Sequence, residues 1–70
     1  MKFDVFGRIV EVTPSENGWQ VYYPSDDGKK RRARDINIPP DLTESELADF
    51  LADLLHEYAT IDKNTVTRLD

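Results

Sequence analysis

The densest chemistry in this 70-residue sequence is a basic run, Lys29-Lys30-Arg31-Arg32-Ala33-Arg34, which holds five of the chain's nine lysines and arginines. Guanidinium and ammonium groups at this density bind anions, phosphate or carboxylate, through charge-assisted hydrogen bonds. Trp19, Tyr22 and Tyr23 precede the run and could stack bases, so a single-stranded nucleic acid is one ligand to weigh. Strand alternation divides such a run between two faces, so no more than about half of it can meet one ligand. A solvated strand whose long side chains cover ring faces and deter edge-to-edge pairing explains the same residues with no ligand at all.

The second concentration is acidic. Glu46, Asp49, Asp53 and Glu57 recur at helical spacing, with no lysine or arginine between Asp35 and Ile61. A face of this kind can dock on a basic partner, or it can simply keep a small domain in solution. Asp49, Asp53 and the only histidine, His56, fall along one edge of the same helix. Without a second histidine or any cysteine they make a poor transition-metal site, and a surface histidine beside carboxylates is the plainer reading. Catalysis has little to work with: there is no thiol, no glycine-rich phosphate loop and no Ser-His-Asp arrangement. The chain is expected to be a non-enzyme, without cofactor or metal.

The elements that position these residues can be read from turns and periodicity. Phe3 to Thr13 has a strand pattern, Pro14-Ser15-Glu16-Asn17-Gly18 a turn, and Trp19 to Tyr23 a second strand. Pro24-Ser25-Asp26-Asp27-Gly28 turns the chain again, Lys29 to Ile38 forms a third strand, and Pro39-Pro40 stops it. Thr43 and Glu46 then make a capping box, flanked by Leu42 and Leu47 as a hydrophobic staple. The helix runs from about Glu44 to Ala59, with an apolar stripe of Leu47, Phe50, Leu51, Leu54, Leu55 and Tyr58. Asp62-Lys63-Asn64 turns the tail, and Thr65 to Leu69 has a weak strand pattern. The expected fold is α+β: a three-stranded antiparallel meander with one amphipathic helix packed on one face and a short optional C-terminal strand (β-β-β-α-β).

A hairpin closing at Thr13 and Gly18 sets Val12 opposite Trp19, Val10 opposite Val21 and Arg8 opposite Tyr23. The next hairpin puts Arg32, Arg34, Ile36 and Ile38 on that same face. The helix then covers Val10, Val12, Trp19, Val21, Ile36 and Ile38. Beyond them Arg8, Tyr23, Arg32 and Arg34 form an aromatic-basic cluster, with an arginine near the Tyr23 ring, as a candidate anion or partner site. The opposite face carries Ile9, Tyr22 and Ala33, joined by Phe3 and Val5 unless a bulge at Gly7 switches their side. So apolar a face calls for cover, either by Thr65 to Leu69 or by a second copy in a homodimer.

Size and charge limit the classes further. Seventy residues give one domain near the lower size for a self-sufficient core. The absence of cysteine and of a signal pattern points to the cytoplasm, and no apolar run is long enough to span a bilayer. A net charge of −5 opposes long-range approach to nucleic acid or to an anionic membrane.

The segments MKFDVFGR, DGKKRR, INIPPDLTESEL and DLLHE resemble a family of short uncharacterised bacterial proteins, over most of the chain. That resemblance implies a free-standing bacterial cytosolic protein and brings no known activity. The order of three strands, helix and short strand is also similar to antitoxin domains of the HicB type, with GWQVYYP in the place of their second strand. The Pro-x-x-Gly turn of that pattern is missing here, so the likeness extends to architecture alone. The expected function is a small protein-interaction or regulatory accessory domain with an unidentified protein partner. The alternative is a nucleic-acid-binding module that uses the basic third strand.

Overall fold

A tight turn at Phe6 and Gly7 divides the first expected strand in two. In the computed structural model, which describes residues 1–25 and 27–70, β1 (Lys2–Val5) and β2 (Arg8–Ser15) form a hairpin. Phe3 lies opposite Val10 and Val5 opposite Arg8. Both turn residues have positive φ, 53° at Phe6 and 89° at Gly7, as the twist of a two-residue hairpin demands. Glycine adopts this backbone freely; for Phe6 it costs about 1–2 kcal/mol. Burial of the Phe6 ring, only 7% exposed, offsets that strain. Gly7 therefore marks a chain reversal rather than a bulge. The reversal turns Phe3 and Val5 onto the covered face beside Val10, away from the outer face.

The expected meander thus grows to five strands. β3 (Gly18–Pro24), β4 (Lys30–Arg32) and β5 (Val66–Arg68) complete an antiparallel sheet in the order β4-β3-β2-β1-β5. The α+β class with one helix stands. β5 pairs with β1, Val5 opposite Val66 and Phe3 opposite Arg68, so the tail extends the sheet and does not cover its outer face.

Two registers differ from expectation, with unequal consequences. The β2–β3 hairpin closes at Ser15 and Gly18 around Glu16-Asn17, which sets Val12 opposite Val21 and Pro14 opposite Trp19. That shift is two residues, so Val10, Val12 and Val21 keep their face. In the next hairpin Tyr22 pairs with Arg32 and Tyr23 with Arg31, one residue away from the expected parity. Arg31 and Ala33 therefore take the covered face, and Ala33 is 2% exposed. β4 also ends at Arg32, well short of Ile38; Arg34-Asp35 forms a turn, and Ile36 and Ile38 return to the core through irregular backbone. Asp26, within the expected turn, lies outside the described residues.

Pro39-Pro40 ends this segment and packs against the β2–β3 hairpin. A Cβ on Gly18, where φ is 127°, would come within 2.8 Å of the Pro40 backbone. The Trp19 indole N–H donates to the Leu42 carbonyl at 2.9 Å. The capping box forms as expected: the Thr43 N–H and hydroxyl both donate to Glu46 Oε1, at 3.0 and 2.8 Å. These bonds hold the Glu46 carboxyl below its ordinary pKa.

The helix is shorter than Glu44 to Ala59. A 3-10 turn, Glu44–Glu46, leads into α1 (Leu47–Leu54); after Leu55 the chain tightens into a second 3-10 turn, His56–Tyr58. No glycine or basic residue caps α1, and Tyr58 and Ala59 bond three residues back instead of four. Leu47, Leu51 and Leu55 form the buried ridge, while Leu54 and Tyr58 are 42% and 39% exposed. Those two members of the expected stripe border the interface with the sheet and do not enter it.

Candidate functional site

Because β2 and β3 are antiparallel, the start of β2 lies beside the end of β3, and the turn after Pro24 brings the start of β4 to the same corner. Arg8, Tyr23, Arg31, Arg32, Arg34 and Asp35 line an open groove of about 800 Å³ there. All four residues of the expected cluster, Arg8, Tyr23, Arg32 and Arg34, are on it. Their footing differs from expectation. Arg8 lies across from Val5 at the end of the covered face, and Arg31 stands level with Tyr23. Arg32 stands level with Tyr22 and reaches the groove from its rim.

The arginine–aromatic contact forms with a different ring. The Arg8 guanidinium carbon lies 3.8 Å from the centroid of Tyr58, just beyond the end of α1. A guanidinium over an exposed ring contributes roughly 0.5–1 kcal/mol, and its in-plane N–H edge remains free to donate. Tyr23 instead donates its hydroxyl to the Asp35 carboxylate, at 3.1 and 3.2 Å to the two oxygens. Burial of the phenol and this bond to a carboxylate raise its pKa above 10, so Tyr23 is a neutral donor at physiological pH. Arg31, Asp35 and Tyr58 are the members that sequence reasoning missed. The first needed the parity of a short strand, the second the turn after it, and the third the place where the helix tightens.

The charge balance of the groove is unusual for this chain. Among the described residues Asp35 is its only acid, and it is occupied by Tyr23. Among the described residues, no carboxylate lies within 4.0 Å of the guanidiniums of Arg8, Arg31, Arg32 or Arg34. Elsewhere two bases have such partners, while Lys2, Lys29 and Lys63 show none among the described residues. Lys30 Nζ is 2.8 Å from Glu11 Oε2, which holds Glu11 below its ordinary pKa, and Arg68 reaches Glu44 and Asp70 at 3.3 and 3.2 Å.

On the acidic side, Glu46 belongs to the capping box, while Asp49, Asp53 and Glu57 are exposed. Asp49, Asp53 and His56 do not converge: among the described residues no group of three acidic or histidine side chains could hold a metal ion. His56 packs edge-on to the Phe6 ring, with centroids 6.2 Å apart. The outer sheet face also changes character. With Phe3, Val5 and Ala33 in the core, only Ile9 and Tyr22 of the expected apolar patch remain there. Tyr22 is tied to Gln20 by a 2.6 Å hydrogen bond and flanked by Lys30. A homodimer through that face loses its apolar footing.

Among the described residues, no helix is long and apolar enough to cross a membrane. No curated protein and no solved structure matches the chain. One family model does, from the first residue to the last, so the hairpin turn, the arginine groove and the capped helix all fall within a single matched unit. Over residues 1–70 the chain belongs to the family described as Domain of unknown function (DUF7661).

Proposed function

We propose that this chain is a non-enzymatic protein-interaction or regulatory accessory domain of the bacterial cytoplasm, whose arginine groove receives the carboxylates of a protein partner. The observation that carries the reading is the convergence of Arg8, Arg31, Arg32 and Arg34 on one groove with no carboxylate, among the described residues, within 4.0 Å of their guanidiniums. The chain has 14 acids against nine bases, so a shortage of carboxylates does not explain it. Planar guanidiniums suit bidentate carboxylates, and the net charge of −5 opposes the approach of a polyanion. The cysteine-free sequence supports a reducing compartment. The groove's neutral phenol and its occupied carboxylate favour binding over acid–base chemistry.

Four guanidiniums beside the Tyr23 and Tyr58 rings favour one second reading, a nucleic-acid module on which bases stack. A short oligoglutamate peptide and an oligothymidylate of matched charge, each titrated into dilute protein, separate the two. The peptide is expected to bind the wild type. The Arg31→Glu, Arg34→Glu double variant should weaken it at least tenfold without lowering the melting temperature, because both residues are exposed. Tighter binding of the oligonucleotide at physiological salt, falling steeply as salt is added, replaces the first reading with the second.

A further inference from the structure

We infer that the carboxylate-bearing partner of this groove is a second copy of the same chain, docked about a two-fold axis that passes near Leu54 and Tyr58. The inference rests on the reading of the groove as a carboxylate site and adds the identity of the occupant.

Three features meet on one continuous surface. The outer face of α1 presents Asp49 and Asp53, and the 3-10 turn after it presents Glu57, all exposed, in a stretch without lysine or arginine from Ile36 to Asp62. Beside these acids Leu54 and Tyr58 leave about two-fifths of their surface in water, one turn apart at the end of the helix. Tyr58 carries the Arg8 guanidinium at 3.8 Å, and Arg8 opens the groove of Arg31 and Arg34. The surface therefore reads acid, apolar, base in sequence.

A surface of that order is complementary to itself. A two-fold rotation about its apolar centre sets Leu54 against its own copy. The same rotation places Asp53 and Glu57 of each chain opposite Arg8, Arg31 and Arg34 of the other. An apolar centre within a charged rim is also the ordinary anatomy of an interface. A standard contact removes roughly 800 Å² from each partner, a modest share of the chain's 5060 Å² of accessible surface. Two chains of charge −5 repel one another at long range, yet this repulsion is screened beyond about 8 Å at physiological salt. The acid–base contacts act inside that distance. The outcome is a reversible dimer that forms as concentration rises.

Sedimentation velocity over a concentration series tests this with charge-swapped chains. Wild type is expected to pass from monomer to dimer. The Arg31→Glu, Arg34→Glu variant and the Asp53→Lys, Glu57→Lys variant should each stay monomeric, because each sets like charges together. An equimolar mixture of the two should recover the dimer, since the reversed groove then meets the reversed helix. All four positions are exposed, so melting curves should match wild type and exclude misfolding. A mixture that stays monomeric overturns the inference, as does a wild type that is monomeric throughout. If wild type is monomeric but its oligoglutamate binding still depends on Arg31 and Arg34, the groove stands and only the second copy falls. A dimer that survives in both variants places the interface elsewhere and also overturns it.

Discussion

Phe6 is a non-glycine residue held at φ 53°, a backbone region that L side chains avoid at a cost of about 1–2 kcal/mol. Its ring recovers that cost by joining the core and meeting His56 edge-on. The two contributions can be separated. At an ordinary buried site glycine is worse than alanine by roughly 0.5–1 kcal/mol, because it is freer in the unfolded chain. At position 6 the order should invert. Phe6→Ala loses the ring and keeps the strained backbone, whereas Phe6→Gly loses the ring and relaxes it. Urea denaturation should therefore show Phe6→Gly more stable than Phe6→Ala by about 0.5–1 kcal/mol. Equal stabilities, or alanine ahead, would mean that the turn is not held at positive φ. The same residue explains why this hairpin is hard to read from sequence. Asn-Gly at positions 17 and 18 announces a turn, but Phe-Gly within a run of Val, Ile and Phe reads as an interrupted strand.

Among the elements, α1 shows most clearly where periodicity informs and where it stops. Where the chain turns helical was legible, since the Thr43–Glu46 box is local chemistry that needs no tertiary context, but the box opens a 3-10 turn and α1 itself begins only at Leu47. The buried ridge of Leu47, Leu51 and Leu55 also follows from spacing. Spacing alone, however, cannot tell the centre of a stripe from its border, and it cannot show the helix tightening after Leu55. Leu54 looked like core and is not. Leu51→Ala should cost about 2–5 kcal/mol, because a fully buried leucine leaves a cavity. Leu54→Ala should cost less than about 1 kcal/mol and act on self-association instead. A large loss at position 54 would show that its side chain is covered in the folded monomer. β4 failed for a different reason. Alternation fixes which residues share a face only once the turn length is known, and a one-residue error there exchanges Arg31 with Arg32. The arginine cluster survived that error because five bases in six positions leave arginines on both sides of any register.

At the scale of the whole molecule, the sheet joins residues that are far apart in the chain. β5 lies against β1, about sixty positions away in sequence, and no local pattern announces that pairing. Bonds flank the ladder at both ends: the Leu69 N–H donates to the Lys2 carbonyl at 2.8 Å and the Phe6 N–H to the Thr65 carbonyl at 3.1 Å. Val66, half-buried, packs against the core beside them. Without this strand β1 becomes a bare edge whose covered face holds Phe3 and Val5, an arrangement that invites edge-to-edge association. Each backbone bond contributes only about 0.5–1.5 kcal/mol net, but a core of this size holds roughly 3–5 kcal/mol in total. Ending the chain at Asn64 should therefore remove more than half of its stability and promote association that is insensitive to the charge swaps at the groove. Arg68→Glu is the matching control. It breaks only the exposed ion pairs to Glu44 and Asp70 and should cost less than about 1 kcal/mol. Urea unfolding of both variants decides the point. A shortened chain that unfolds at the same midpoint as wild type would show that the four remaining strands and α1 form a complete core and that β5 merely decorates it.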